Sequence, residues 1–149
     1  MTEKDHVKLL FRLERDPDGY PPVDVEGVWA IVQADGSYEI DNIPFFARGV
    51  AVGDVVSAQQ VDDDFFFDKL LRPSGHSLVR IIVYDEAEVP ELCSELKALG
   101  CDLELHGTLL AVDVPPEVPY TPICRLLEAG SDAERLGFQE AVLCHKIEP

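Results

Sequence analysis

The chain has 149 residues, which is long enough for one large domain or two small domains with a real hydrophobic core. It carries 12 Lys and Arg against 29 Asp and Glu, and this net charge of −17 disfavours binding to nucleic-acid backbones and anionic membranes. The acidic residues are spread over both halves and are not confined to a tail. Residues 1–76 have 7 basic and 15 acidic side chains, and residues 77–149 have 5 basic and 14 acidic side chains.

The amino terminus has no apolar core of signal-peptide length, and no run of residues reaches the length of a transmembrane helix. The four cysteines lie in the second half without a C-x-x-C pair: Cys93, Cys101, Cys124 and Cys144. We interpret them as reduced thiols of the core, with disulfides or a metal site as alternatives. These features predict a cytoplasmic protein.

The first half begins with short strands. The apolar residues Val7, Leu9, Phe11 and Leu13 recur at every second position, which predicts a strand with one buried face. Residues 16–22 form a turn-rich loop, and the apolar run Val28–Val32 predicts a second strand. Residues 34–37 then indicate a hairpin. We expect Trp29 in the core, with a stacking platform as the alternative.

The stretch Asp41–Val56 combines a turn proline, two phenylalanines and two glycines, and it predicts the centre of a small β-barrel. Within it, Gly53 permits a positive φ, and the carboxylate of Asp54 is expected to cap nearby backbone N–H groups. Residues 62–64 form the next turn, and residues 65–67 are three phenylalanines that cannot all face one core.

The second half has the order strand, helix, strand, strand, helix, strand. The strands are predicted at residues 78–84, 101–106, 109–114 and 138–144, and the helices end at Gly100 and Gly130. This order predicts a ferredoxin-like βαββαβ arrangement. The predicted fold is therefore α+β: a small β-barrel or bent antiparallel sheet over residues 1–76, followed by a ferredoxin-like half over residues 77–149.

Several linked motifs resemble a bacterial family known as domain of unknown function 4265. They are Glu26-x-x-Trp29-Ala30, Tyr38-x-Ile40-Asp41-Asn42-Ile43-Pro44-Phe45-Phe46-Ala47, Gly53-Asp54-Val55-Val56 and Ser74-Gly75-His76-Ser77-x-Val79-Arg80, and residues 138–143 are similar to the end of the family. The resemblance covers nearly the whole chain and implies a complete module. It implies no particular activity.

The sequence contains no complete catalytic motif. The four histidines, His6, His76, His106 and His145, form no H-x-x-x-H or H-E-x-x-H pair, so no metal site is predicted. No phosphate-binding glycine loop or nucleophile elbow is present, and no cofactor is expected. Ser74 and Ser77 flank His76, but residues adjacent in a turn rarely align for proton transfer.

A small-molecule site is one hypothesis for the junction of the two halves. It would use Glu26, Asp54, His76 and Arg80, because Arg80 is the single charged residue in an otherwise apolar strand. The structural alternative makes Asp54 a loop staple and His76 a polar hinge contact. In that alternative Arg80 pairs with Asp54 or Glu26.

Our first hypothesis is an interaction protein. An acidic turn followed by aromatic residues is typical of an anchor with an electrostatic rim, so we predict partner binding by Asp62, Asp63, Asp64, Phe65 and Phe66. A merely solvated turn is the alternative. Small size, acidity and the lack of a catalytic set favour an immunity protein that neutralises a basic toxin domain. A ligand-sensing domain is the second hypothesis, and a small hydrolase using His76 is the third.

Overall fold

The computed structural model describes residues 5–146. The chain divides into two compact units, Met1–Ser74 and Gly75–Pro149, so the boundary lies two residues before the predicted one. Within the described residues, no helix has both the length and the apolar character needed to cross a bilayer.

The first unit is a closed five-stranded barrel. Its strands are β1 (His6–Arg12), β2 (Val25–Val32), β3 (Tyr38–Ile40), β4 (Val55–Val61) and β5 (Asp64–Arg72). Consecutive strands pair antiparallel, and β5 closes the barrel by pairing parallel with β1 at Leu9 and Leu10. The predicted hairpin joins β2 to β3, and Gly36 adopts the positive φ of 86° that this turn requires.

The barrel interior follows the alternation of the strands. Leu9 and Phe11 of β1 point inward, as do Val28 and Ala30 of β2. The remaining members of this core are Ile40, Ala47, Val50 and Val56. Trp29 lies between two inward residues and is 47% exposed, so the prediction of a core tryptophan is wrong. Its ring instead lies 5.7 Å from the ammonium group of Lys8 on the neighbouring strand.

The stretch Asp41–Val56 is mainly the connection between β3 and β4 and not a central strand. It still contributes to the barrel, because Ala47 and Val50 are completely buried in the core. The stretch predicted to lie at the centre of a small β-barrel thus belongs to a closed barrel and supplies residues of its core.

The second unit is a four-stranded antiparallel sheet with two helices. Its elements are β6 (Ser77–Val83), α1 (Val89–Ala98), β7 (Asp102–His106), β8 (Leu109–Val114), α2 (Thr121–Asp132) and β9 (Leu136–Val142). The strand order is β7-β8-β6-β9. A 3₁₀ turn at Glu86–Glu88 precedes α1, and Gly100 ends that helix with a φ of 103°.

Both helices bury their apolar stripes in one core. Val79 and Ile81 of β6 face this core together with Leu96 of α1 and Leu127 of α2. The buried residues of α1 are Val89, Leu92, Cys93 and Leu96, and those of α2 are Ile123, Cys124 and Leu127. The chain is therefore α+β, with a barrel followed by a mixed helix-and-sheet unit.

Several boundaries in the second unit differ from the prediction by one or two residues, and two of them involve α2 and β9. Helix α2 continues past Gly130 to Asp132, and β9 begins at Leu136 and not at Phe138. A Cβ atom at Gly130 would lie 2.6 Å from Cδ2 of Leu136, so the glycine permits close contact between α2 and the start of β9. Gly130 therefore allows α2 and β9 to pack closely and does not end the helix.

Candidate functional site

Glu26 lies on β2, and its carboxylate fixes the connection after β3. Oε2 accepts the backbone N–H of Phe45 at 2.6 Å, while Oε1 accepts those of Phe46 at 2.9 Å and Ala47 at 2.7 Å. Three N–H donors on one carboxylate are charge-assisted hydrogen bonds of the strong class. Glu26 is thus occupied in shaping this connection of the first unit.

Asp54 has a comparable role at the end of the same connection. Its side chain is buried, with Oδ2 accepting the N–H of Ala51 at 2.9 Å and Oδ1 accepting the N–H of Ser74 at 2.8 Å. The preceding Gly53 has a φ of 82°. This geometry agrees with the loop-staple interpretation of the Gly53-Asp54 pair.

His76 lies in the second unit, where it contacts Asp113 of β8. Nδ1 of His76 is 2.8 Å from Oδ1 of Asp113, and Asp113 is only 3% exposed. Burial raises the pKa of this carboxyl above its usual value, although the hydrogen bond from His76 acts in the opposite direction. A carboxylate therefore orients the His76 ring.

Arg80 lies half-buried in the middle of β6, between Ala111 of β8 and Gln139 of β9. Its predicted partners Asp54 and Glu26 belong to the first unit, and each of them already accepts two or more backbone N–H groups. The ligand site proposed from Glu26, Asp54, His76 and Arg80 stays a prediction.

A serine–histidine contact does exist, but it joins Ser77 to His145. Oγ of Ser77 lies 2.6 Å from Nδ1 of His145, and Nε2 of His145 lies 2.8 Å from the carbonyl oxygen of Pro115. Oγ also accepts the backbone N–H groups of Cys144 at 2.9 Å and His145 at 3.3 Å. Because Ser77 is fully buried, this arrangement holds the segment that follows β9 and offers a substrate no access to the hydroxyl.

The predicted partner-binding turn lies between β4 and β5. Asp62, Asp63 and Asp64 are all exposed, and Asp62 has a φ of 56°. Phe65 packs against the barrel core, whereas the ring of Phe66 is covered by the guanidinium of Arg12 at 3.8 Å from its centroid. Of the two predicted anchors, only Phe66 lies outside the barrel core.

The cysteines are all free thiols. Cys93, Cys101 and Cys124 are buried, as predicted, but Cys144 follows the last strand and is exposed. Burial raises the pKa of Cys101 to about 11. In the described part of the chain, no three His, Cys, Asp or Glu residues come together as a metal site.

A groove of about 200 Å³ lies in the second unit, between α1 and α2. Its apolar lining consists of Val83, Leu92, Leu126, Ala129, Gly130 and Leu136. Three of these residues, Val83, Leu92 and Leu136, are nearly completely buried and form the floor. The groove thus presents apolar surface between two amphipathic helices.

The charged residues of this groove are mostly acidic. Glu91 and Glu95 of α1 and Glu88 of the preceding 3₁₀ turn line it, and Arg135 is the basic residue of the lining. Arg135 lies 3.5 Å from Glu88, while neither Glu91 nor Glu95 forms a salt bridge with any described residue. Like charges four residues apart destabilise a helix slightly, so Glu91 and Glu95 are a small cost to folding.

Sequence reasoning missed this groove. The spacing of Glu88, Glu91 and Glu95 places them on one side of a helix, and this spacing was the available signal. The opposite wall comes from α2 and the start of β9, about 30 to 50 residues later in the chain, so no local motif records it.

Comparison with known proteins gives a family and a fold. The model of a family described as domain of unknown function (DUF4265) matches residues 26–138. The chain belongs to the DUF4265 family. This confirms the resemblance carried by the linked motifs around Glu26, Asp54 and His76.

One solved structure, described as a novel crystal structure of a hypothetical protein from Neisseria gonorrhoeae, is similar over nearly its whole length. The TM-score is 0.79 at 24% identity, and the match covers 98% of this chain and 99% of the other. At that identity the similarity to this DUF4265 chain shows a shared fold. No curated protein sequence matches the chain significantly.

Proposed function

We propose that this DUF4265 chain is an acidic cytoplasmic interaction protein that binds a basic protein, in the form of an immunity protein that neutralises a basic bacterial toxin domain. The observation that carries the proposal is the groove between α1 and α2, which combines an apolar floor with three glutamates on one wall. The net charge of −17 also attracts a basic partner, and it does so over a longer range.

The size of the groove favours a protein partner over a small ligand. Its volume of about 200 Å³ is below the roughly 300–1,000 Å³ typical of small-molecule pockets. One or two apolar side chains of a partner fit such a space. An amphipathic segment with Lys or Arg beside its apolar residues would place them against Leu92 and Leu126 and its charges against Glu91 and Glu95.

Charge and apolar contact then have separate effects on binding. The acidic wall raises the association rate and orients a basic partner, and this effect weakens with salt. The buried floor residues supply contact area from which water is excluded. The exposed turn Asp62–Asp64 extends the acidic surface of the first unit, and we keep it as a second predicted contact.

The test is co-purification from the native host at low and at high salt, followed by titration with the captured protein. We expect a basic protein, captured more strongly at low salt, and at least tenfold weaker binding by the Glu91→Lys/Glu95→Lys variant. The matched control is Glu104→Lys/Asp132→Lys, which makes the same charge change at exposed positions outside the groove. Equal weakening by both variants, or capture of no basic protein, would contradict the proposal.

We also infer that the second unit is a ferredoxin-like domain. Support comes from its βαββαβ element order, its antiparallel strand order β7-β8-β6-β9 and the burial of both helices in one core. Such a fold carries many unrelated functions, so it is neutral between an interaction protein and an enzyme.

A further inference from the structure

A second and larger cavity, of about 390 Å³, lies in the first unit where β1 ends. Its apolar lining is Phe11, Leu13, Pro21, Phe46, Ala47 and Phe67. The rings of Phe11 and Phe67 stack with centroids 4.8 Å apart, and Phe46 meets Tyr20 edge-on at 5.8 Å. The volume falls within the range of small-molecule pockets, and barrel mouths are a common place for them.

The charged groups of this cavity differ from those of the rest of the chain. Arg12, Arg48 and Glu14 line it, so the local balance is positive in a protein whose net charge is −17. Two of the chain's 12 Lys and Arg side chains therefore line a single cavity. The guanidinium of Arg12 lies over the Phe66 ring, which restricts its position.

The wall that carries Phe46 is held by hydrogen bonds from outside the cavity. The Glu26 carboxylate accepts the N–H groups of Phe46 and Ala47, and Arg48 is the next residue. The ring of Phe46 and the guanidinium of Arg48 are therefore carried by a backbone segment that the Glu26 carboxylate holds in place. A site held in this way loses little conformational entropy when it binds a ligand.

We propose that this cavity binds a small aromatic carboxylate. The stacked phenylalanines match a flat apolar ring, and guanidinium groups match a carboxylate in both charge and geometry. An aromatic amine would be repelled by the two guanidinium groups, and it could pair only with the carboxylate of Glu14. The site lies in the first unit and does not depend on the groove between α1 and α2.

The test is an NMR titration of the full chain with three probes that share one ring: phenylacetate, phenylacetamide and phenethylamine. We expect phenylacetate to shift the amide resonances of Phe46 and Ala47 and to bind at least tenfold more tightly than the amide, with the amine weakest. Equal binding of the acid and the amide would overturn the proposal. So would the absence of shifts at these residues with every probe.

Variants separate the charge from the ring contact. Arg48→Gln and Arg12→Gln should each weaken phenylacetate binding several-fold and leave the amide unchanged, whereas Phe46→Leu should weaken both. Arg72→Gln is the matched control, because Arg72 is exposed and lies outside the lining. If Arg72→Gln weakens phenylacetate as much as Arg48→Gln does, binding reflects general charge and the proposed site is wrong.

Discussion

Oγ of Ser77, the first residue of β6, lies 2.6 Å from Nδ1 of His145, which follows the last strand. Since Oγ also accepts two backbone N–H groups, Ser77→Ala removes the acceptor of both of these part-buried hydrogen bonds. We expect a loss of about 2–3 kcal/mol in the free energy of unfolding, measured by urea denaturation. Ser94→Ala, at an exposed position of α1, should change it by less than about 0.5 kcal/mol.

Glu26→Gln tests the connection after β3. The amide group replaces one acceptor oxygen by an NH₂ that faces backbone donors, and the charge-assisted hydrogen bonds to Phe45, Phe46 and Ala47 weaken. We expect a destabilisation of about 2–4 kcal/mol in urea. Asp68→Asn removes a charge at an exposed site of β5 and should have little effect. Equal stability of the two variants would show that the three hydrogen bonds contribute little.

Asp113 predicts a specific pH dependence. Its pKa in the folded chain is raised above the ordinary value of 3.8, chiefly by burial. A carboxyl with a raised folded pKa contributes stability below pH 3.8 that is lost as the pH rises through the folded pKa. We therefore expect the unfolding free energy of the wild type, relative to Asp113→Asn, to fall as the pH is raised from about 3.5 towards 7.

Urea denaturation of both proteins at matched pH values measures this difference, since titrating groups that do not contact Asp113 largely cancel between them. The same comparison in a His76→Gln background removes the contribution of the imidazole in contact with Asp113. A difference that is constant over the range, or that rises with pH, would contradict the direction assigned to Asp113.

Thiol reactivity should divide the cysteines into one fast and three slow residues. Cys144 is exposed, whereas Cys93, Cys101 and Cys124 are buried. With its pKa raised to about 11, Cys101 at pH 8 is ionised roughly a hundredfold less than a thiol of pKa 9.0. Reaction with a chromogenic disulfide should show one fast equivalent, which Cys144→Ser removes, and four equivalents in denaturant. A second fast equivalent in the native protein would be inconsistent with the buried core.

The sequence was most informative where its apolar positions followed the period of a strand or a helix. Leu9 and Phe11 are two residues apart in β1, and both face the barrel core. The run Val28–Val32 is apolar at every position, so it does not distinguish the two faces of β2, and Trp29 was placed on the wrong one. Gly130 was misread because its role depends on the side chain of Leu136, which sequence spacing does not reveal.

The candidate sites depend on contacts between distant segments. The barrel cavity joins residues 11–14, 46–48 and 67, and the groove joins α1 to α2 and β9. The sequence did single out Glu26 and Asp54, because the linked motifs contain them. It predicted backbone capping for Asp54, which the structure shows, but it did not predict the capping by Glu26 of the N–H groups after β3. The sequence does not distinguish a carboxylate that caps backbone N–H groups from one that binds a ligand.

Among residues 5–74, the closure of β5 onto β1 leaves no open strand edge on which another chain could pair. In the second unit the outer strands are β7 and β9, and exposed acids stand on both, Asp102 and Glu104 on one and Glu140 on the other. Like charges brought edge to edge repel, so these strands are poor templates for fibril growth. The native protein should therefore stay dispersed at concentrations where sheets with bare apolar edges form amyloid.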